Sequence, residues 1–204
     1  MTRSPESRAP GRPASASRED VLSAAIEVFL SGKRLDVNAI AAKLGVGRAS
    51  IYRWFGSRDG LLAAAIARQL ERMMSLIQLH CTTTGGERLE QILDRAVDLL
   101  VEDNSLRAYF DNESTAALRL VTRSDGPVHK AAVAAVEQLL EQAENEGYHP
   151  PIDRDTLAYA VVRLWEAFLY NDAVAGFRGD AERLRQVHTA LLRTEGSGRR
   201  YQQR

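Results

Sequence analysis

The residues with the clearest capacity for chemistry lie between Val37 and Phe55, where Lys43, Arg48, Ser50, Tyr52 and Arg53 crowd into a short stretch. The segment reads as two short helices joined by a glycine turn and closed by an aromatic cluster. Ala41, Gly45 and Ile51 fall four and six residues apart. That spacing suits a helix-turn-helix, with a small residue where the helices touch, glycine for the turn backbone and an apolar plug beneath the second helix. Such a unit presents its second helix to the DNA major groove, so the chemistry is contact with phosphates and base edges rather than bond breaking.

The charge distribution agrees with one DNA-facing end. The chain has 204 residues and a formal net charge of zero, yet residues 1–60 carry +4 and the remainder −4. A basic piece on an acidic body is what phosphate binding by one domain produces. Hydrophobic residues make up 45% and charged residues 26%, which allows a buried core and argues against general disorder. A single cysteine, Cys81, excludes an internal disulfide and fits a reducing compartment. No secretory h-region and no membrane-length apolar run is present, so a soluble cytoplasmic protein is expected.

The elements needed to position these residues are all helical. No proline occurs between Pro13 and Pro127, and no stretch alternates with strand period. Residues 1–16 read as a flexible arm whose Arg3, Arg8 and Arg12, with Arg18 beyond it, could reach a minor groove or serve as a solubilising tail. Ser17 and Asp20 form a capping pair for a first helix with Val21, Leu22, Ala25, Ile26, Phe29 and Leu30 on one face. Asp36 caps the second helix, the third runs from about Arg48 to Phe55, and Ser57 caps a long fourth.

Beyond residue 80 the pattern is a bundle. One helix spans about Gly86 to Glu102, and residues 105–123 form two shorter, less regular helices. Pro127 stands in the first turn of the next, which ends at Gly147 before Pro150-Pro151. An apolar helix over 153–173 carries Leu157, Val161, Leu164, Trp165, Phe168 and Leu169, and a last one follows Asp180 with Leu184, Val187 and Leu191 on one side. The expected fold is all-α, about nine helices. The divisions are a 1–16 arm, a 17–62 helix-turn-helix domain, a 63–195 ligand-binding and dimerisation domain and a frayed 196–204 tail.

The run Ile40-Ala-Ala-Lys-Leu-Gly-Val-Gly-Arg-Ala-Ser-Ile-Tyr-Arg-Trp-Phe55, followed by Gly56-Ser-Arg-Asp-Gly-Leu61, resembles the N-terminal domain of the TetR family of repressors. Residues 105–190 are loosely similar to lactone-responsive QsdR-type members. The resemblance implies that Arg48, Ala49, Ser50 and Arg53 face the groove, that Tyr52 and Arg58 bind phosphate, and that Trp54 and Phe55 are mainly core. Gly47 stands where the family usually has Ser, which removes a side-chain cap and a hydroxyl while leaving free N–H groups at the helix start. Trp54 replaces a frequent Tyr.

Enzymatic readings find no phosphate loop, nucleophile elbow or His-x-x-x-His pair. His80, His129, His149 and His188 are scattered, and His80 beside Cys81 lacks further metal ligands. No catalytic residue, metal or cofactor is therefore expected. The expected function is a homodimeric regulator, a repressor released from an inverted-repeat DNA operator by a small, mainly apolar effector, with a lactone as first candidate. The candidate effector pocket comprises Tyr109, Phe110, Asn112, Glu113, Trp165, Phe168, Tyr170 and Asn171, each of which serves equally well as ordinary core or interface. The competing class is a constitutive architectural DNA-binding protein with a tight core and no cavity.

Replacing Arg48 or Arg53 with alanine should weaken operator binding and relax sequence preference, at roughly 1–3 kcal/mol per lost bidentate base contact. Titrations on operator and scrambled duplexes check this, and unchanged discrimination in both variants would remove the base-reading assignment.

Overall fold

A computed structural model describes residues 16–170 and 180–193, and the described residues are helical apart from caps and connections. The expected arm and tail, and Asn171, lie wholly or mainly outside the described residues. The helices are α1 (Arg18–Leu30), α2 (Val37–Leu44), α3 (Arg48–Phe55), α4 (Arg58–His80), α5 (Gly85–Glu102), α6 (Asn104–Thr122), α7 (Pro127–Asn145), α8 (Arg154–Trp165) and α9 (Ala181–Leu192), with a π turn over Glu166–Tyr170 after α8.

Local chemistry sets most of the boundaries. The Ser17 hydroxyl accepts from Asp20 N–H while the Asp20 carboxylate accepts from Ser17 N–H at 2.7 Å, a reciprocal capping box. Asp36, Ser57, Asp103, Asp153 and Asp180 cap the helices that follow them by side-chain acceptance from backbone N–H groups. Pro127 occupies the start of α7, where its missing N–H costs no helical bond.

Helices α1–α3 form a head around Val21, Leu22, Ala25, Ile40 and Ile51, and the N-terminal half of α4 closes it with Leu61, Leu62 and Ala65. The same helix continues without interruption, and its Leu70, Met74 and Ile77 are buried further along. There α4 packs on α7, and α5, α8 and α9 complete the bundle around Leu93, Val97, Val136, Leu140, Leu157 and Val161. Gly60 permits the tight entry from α3 to α4, because a Cβ there would stand 2.0 Å from the carbonyl oxygen of Phe55.

Two features of the bundle differ from the sequence reading, whereas residues 104–122 hold the two shorter helices expected there, which meet at a kink with Glu113 at φ −141°, ψ 46°. Just before it the Asn112 amide donates to the Ala108 carbonyl at 2.8 Å, a side-chain bond of the type that competes with helical pairing. The helix expected over 153–173 is α-helical only to Trp165. Its backbone then widens into the π turn, where buried Glu166 lies 2.7 Å from Nδ1 of buried His129 on α7 and accepts from Arg163. On α9 the buried face is Leu184, His188 and Leu192, while Val187 and Leu191 are half-buried. The face follows the i, i+4, i+8 row, one residue off the expected stripe.

His188 is the polar member of that buried row. Its side chain is fully enclosed beside Trp165, with ring centroids 6.3 Å apart, and burial pushes its pKa down to about 4. The unfolded chain binds this proton near pH 6.5, so folding stability is complete above that pH and declines as pH falls toward 4. The loss between pH 7 and pH 5 should be about 2 kcal/mol. Urea unfolding at the two pH values measures it; His188→Leu should flatten this component, and an equal slope in both proteins would refute the assignment.

Candidate nucleic-acid interface

The geometry of the interface begins with the turn between α2 and α3. Gly45 caps α2 in the left-handed region at φ 65°, and the next N–H, of Val46, returns to the Ala41 carbonyl at 3.1 Å. Ala41 is buried where the helices meet and Ile51 is completely enclosed beneath α3. With that side fixed, Arg48, Ala49, Tyr52 and Arg53 are exposed on the opposite side of α3, and Ser50 is half-buried at its edge. Trp54 and Phe55 pack against the core, and the Arg18 guanidinium lies 4.7 Å above the Phe55 ring. Arg18 therefore begins α1 as a packing cation rather than belonging to the arm.

Gly47 starts α3 in extended backbone with no side-chain cap, and nothing lies within 4 Å of where a Cβ would stand. The glycine is thus not required by crowding. It leaves the first N–H groups of α3 open toward the exposed side, next to Arg48, whose Nη1 donates to Asn38 Oδ1 at 3.0 Å. Asn38 was not singled out from sequence. Its exposed position two residues after the Asp36 cap brings it to the face that carries Arg48 and Tyr52.

Arg58 departs most from expectation. Its guanidinium is bidentate on Glu113 of α6, at 2.9 and 2.5 Å, and its Nε donates to the Leu35 carbonyl at 3.0 Å. Arg34, also missed from sequence, adds a second cation 3.3 Å from Glu113. Hydrogen bonding to Arg58 holds the Glu113 carboxyl below its usual pKa, and the same bond raises that of Arg58. Arg58 does not stand free for phosphate here; it lines a notch of about 380 Å³ with Arg34, Asn38 and Tyr52, and its strongest partner is already a carboxylate.

The expected effector residues divide in the same way. Tyr109, Asn112 and Glu113 line a crevice of only about 20 Å³ beneath the head, shared with Arg58, so Glu113 is an interdomain ion-pair partner instead of a pocket wall. Trp165 is buried against α9, and Phe168 is half-buried. A larger cavity of about 380 Å³ does exist, and of the described candidates it is lined by Tyr170 alone, with Phe110 stacked behind that ring at 5.4 Å. Its walls come from α4, α5, α6 and α7 and from Phe29 and Leu30 at the end of α1. The sequence reading assigned α1 wholly to the head, which hid this contribution.

Among the described residues no group of His, Cys, Asp and Glu is placed to hold a metal ion, and no helix is long and apolar enough to cross a membrane.

Residues 21–65 match the family model for bacterial regulatory proteins of the tetR family, and residues 84–193 match that for a tetracyclin repressor-like C-terminal domain. Among solved structures, the transcriptional repressor QsdR of R. erythropolis superposes with a TM-score of 0.79 at 24% identity, covering 91% of this chain and 97% of its own. A TetR regulator from Rhodococcus sp. RHA1 gives 0.64 at 22%, with 88% and 97% covered. The repressor AlkX of Dietzia sp. gives 0.57 at 16%, with 87% and 94% covered. These likenesses establish the fold. No curated protein sequence matches the chain.

Glu113→Gln should release the Arg58 guanidinium toward DNA. Binding to non-specific duplex should tighten and its salt dependence steepen by about one counterion. Arg58→Ala added to that variant should cancel the gain. Anisotropy titrations across salt concentrations check this, and an unchanged slope would show that Arg58 does not reach phosphate.

Proposed function

The chain belongs to the TetR family of transcriptional regulators, and from that membership we propose that it is a homodimeric repressor released from an inverted-repeat operator by a small, mainly apolar effector. The reading head is the exposed face of α3, with Arg48 and Arg53 reading base edges and Ala49 or Ser50 meeting a thymine methyl or a base edge. Tyr52 and the open N–H groups that follow Gly47 hold phosphates, and Arg58 joins them when Glu113 releases it. Dimerisation uses the half-buried residues of the last helices, Leu164 on α8 and Val187 and Leu191 on α9. Twofold symmetry then sets two reading heads about one helical turn apart, or a multiple of it.

The observation that carries the effector reading is the cavity of about 380 Å³ set directly against α4, the helix whose other end closes the reading head. A constitutive architectural protein has no use for such a space. An occupant that repacks the bundle must move α4, and with it the spacing of the two heads. Packed interfaces switch between discrete arrangements, so a small shift suffices. A short lactone is the first effector to try, and the site of action is DNA in the cytoplasm.

Selection from a random duplex pool should recover an inverted repeat, whereas an unselective pool would refute operator binding. γ-Decalactone should then lower affinity for that operator by about 30- to 150-fold, equivalent to roughly 2–3 kcal/mol of coupling, and saturating operator should weaken lactone binding by the same factor. Calorimetry with and without operator measures the second arm, and equal affinities would refute release by this lactone.

A further inference from the structure

The bundle cavity also carries information about the charge of what it holds. Its interior is apolar, with Ile66, Leu70 and Met73 of α4 facing Leu100, Leu106 and Val121, and Gln69 supplies an uncharged carboxamide. Two carboxylic acids also line it, Glu102 at the end of α5 and Asp103 in the connection to α6, together with the Tyr170 ring. Among the described lining residues there is no lysine, arginine or histidine. Asp103 is fixed in place by its cap, accepting from Ser105 N–H at 2.8 Å and Leu106 N–H at 3.0 Å. Arg107 donates to the Val101 carbonyl at 3.1 Å and does not line the cavity.

A ligand carboxylate has no good position in this arrangement. Placed deep, it is desolvated among leucine and methionine side chains without a cationic partner, which costs several kcal/mol. Placed at the Glu102 end, it meets two carboxylates. An amine at that end gains both as acceptors, and an alcohol or lactone avoids both penalties. Size points the same way: the space, partly open to solvent, matches about a dozen non-hydrogen atoms at about 30 Å³ per water-sized group.

We infer that the cavity takes an uncharged or cationic amphiphile of about ten carbons and rejects carboxylates of the same length. The inference rests on the cavity being the effector site and adds the class of effector. Phe29 and Leu30 make the occupant touch the reading head as well as the bundle.

The test uses decylamine, decan-1-ol and decanoate at neutral pH, below their aggregation limits, with affinities for the full chain measured by calorimetry. Decylamine and decanol should bind at least tenfold more tightly than decanoate. Leu70→Phe, which fills the space, should abolish binding, with Leu106→Phe as a second filling variant and circular dichroism to verify that each is folded. Glu102→Lys should raise the affinity ratio of decanoate to decylamine at least tenfold. Decanoate binding as tightly as decylamine, with loss on filling, would overturn the charge selection while leaving the cavity as the effector site. A ratio unmoved by Glu102→Lys would overturn the role given to the mouth acids. Failure of all three probes, or binding that survives both filling variants, would overturn the cavity itself as the effector site.

Discussion

Everything in this molecule hangs on one helix being buried at both ends. The first turns of α4 place Leu61, Leu62 and Ala65 in the core of the head, and its later turns place Leu70, Met74 and Ile77 against the bundle. From Leu61 to His80 it contains no glycine or proline, so no point along it absorbs a rotation. One continuous helix thus joins the two cores. The exposed face of α3 owes its orientation to the same constraint, since Gly60 brings the start of α4 against the last carbonyl of α3.

Electrostatics adds a second, weaker connection beside this rigid one. The Arg58–Glu113 pair joins the first turn of α4 to the kink in α6, and both side chains are largely sheltered. A carboxylate and a DNA phosphate are similar partners for a guanidinium, since each offers two oxygens to its planar fork. The head therefore meets DNA with one of its cations already engaged from within. The hydrophobic connection decides where α3 points; the ionic one decides how much positive charge arrives with it.

The parts legible in the sequence are those governed by near neighbours. Ser17 with Asp20, Asp36 and Ser57 act over two or three residues, and Gly45 with Ala41 and Ile51 defines a turn within eleven. Each announces itself by residue type at fixed spacing. Arg58 and Glu113 are fifty-five residues apart, and nothing near either names the other. The π turn was hidden for a different reason: Trp165, Phe168 and Leu169 keep an apolar pattern that an ordinary helix satisfies, while the Glu166–His129 contact at the turn is made with another helix. In α9 one residue of phase separates the Leu184–Val187–Leu191 stripe from the buried Leu184–His188–Leu192 row, and a histidine in the core is the less obvious choice. The cavity was misplaced because its lining mixes helices from both halves of the chain, and residues such as Leu70 and Leu106 carry no mark distinguishing a wall from a core.

The part played by α1 in that wall bears on how such a protein can be recombined. Phe29 and Leu30 belong by sequence to the DNA-reading end, yet they enclose the space attributed to the effector. Exchanging the reading end for that of a relative, to redirect the regulator to another operator, would also exchange one side of the pocket and remove the partner of Glu113. The natural cutting point between the two functions is therefore not a single position in the chain. A graft that preserves effector response must keep the last turn of α1, the loop with Arg34 and the Arg58 position from the parent, and replace only the exposed side of α3. Under the proposed function, operator choice and effector choice are separable by surface, not by segment.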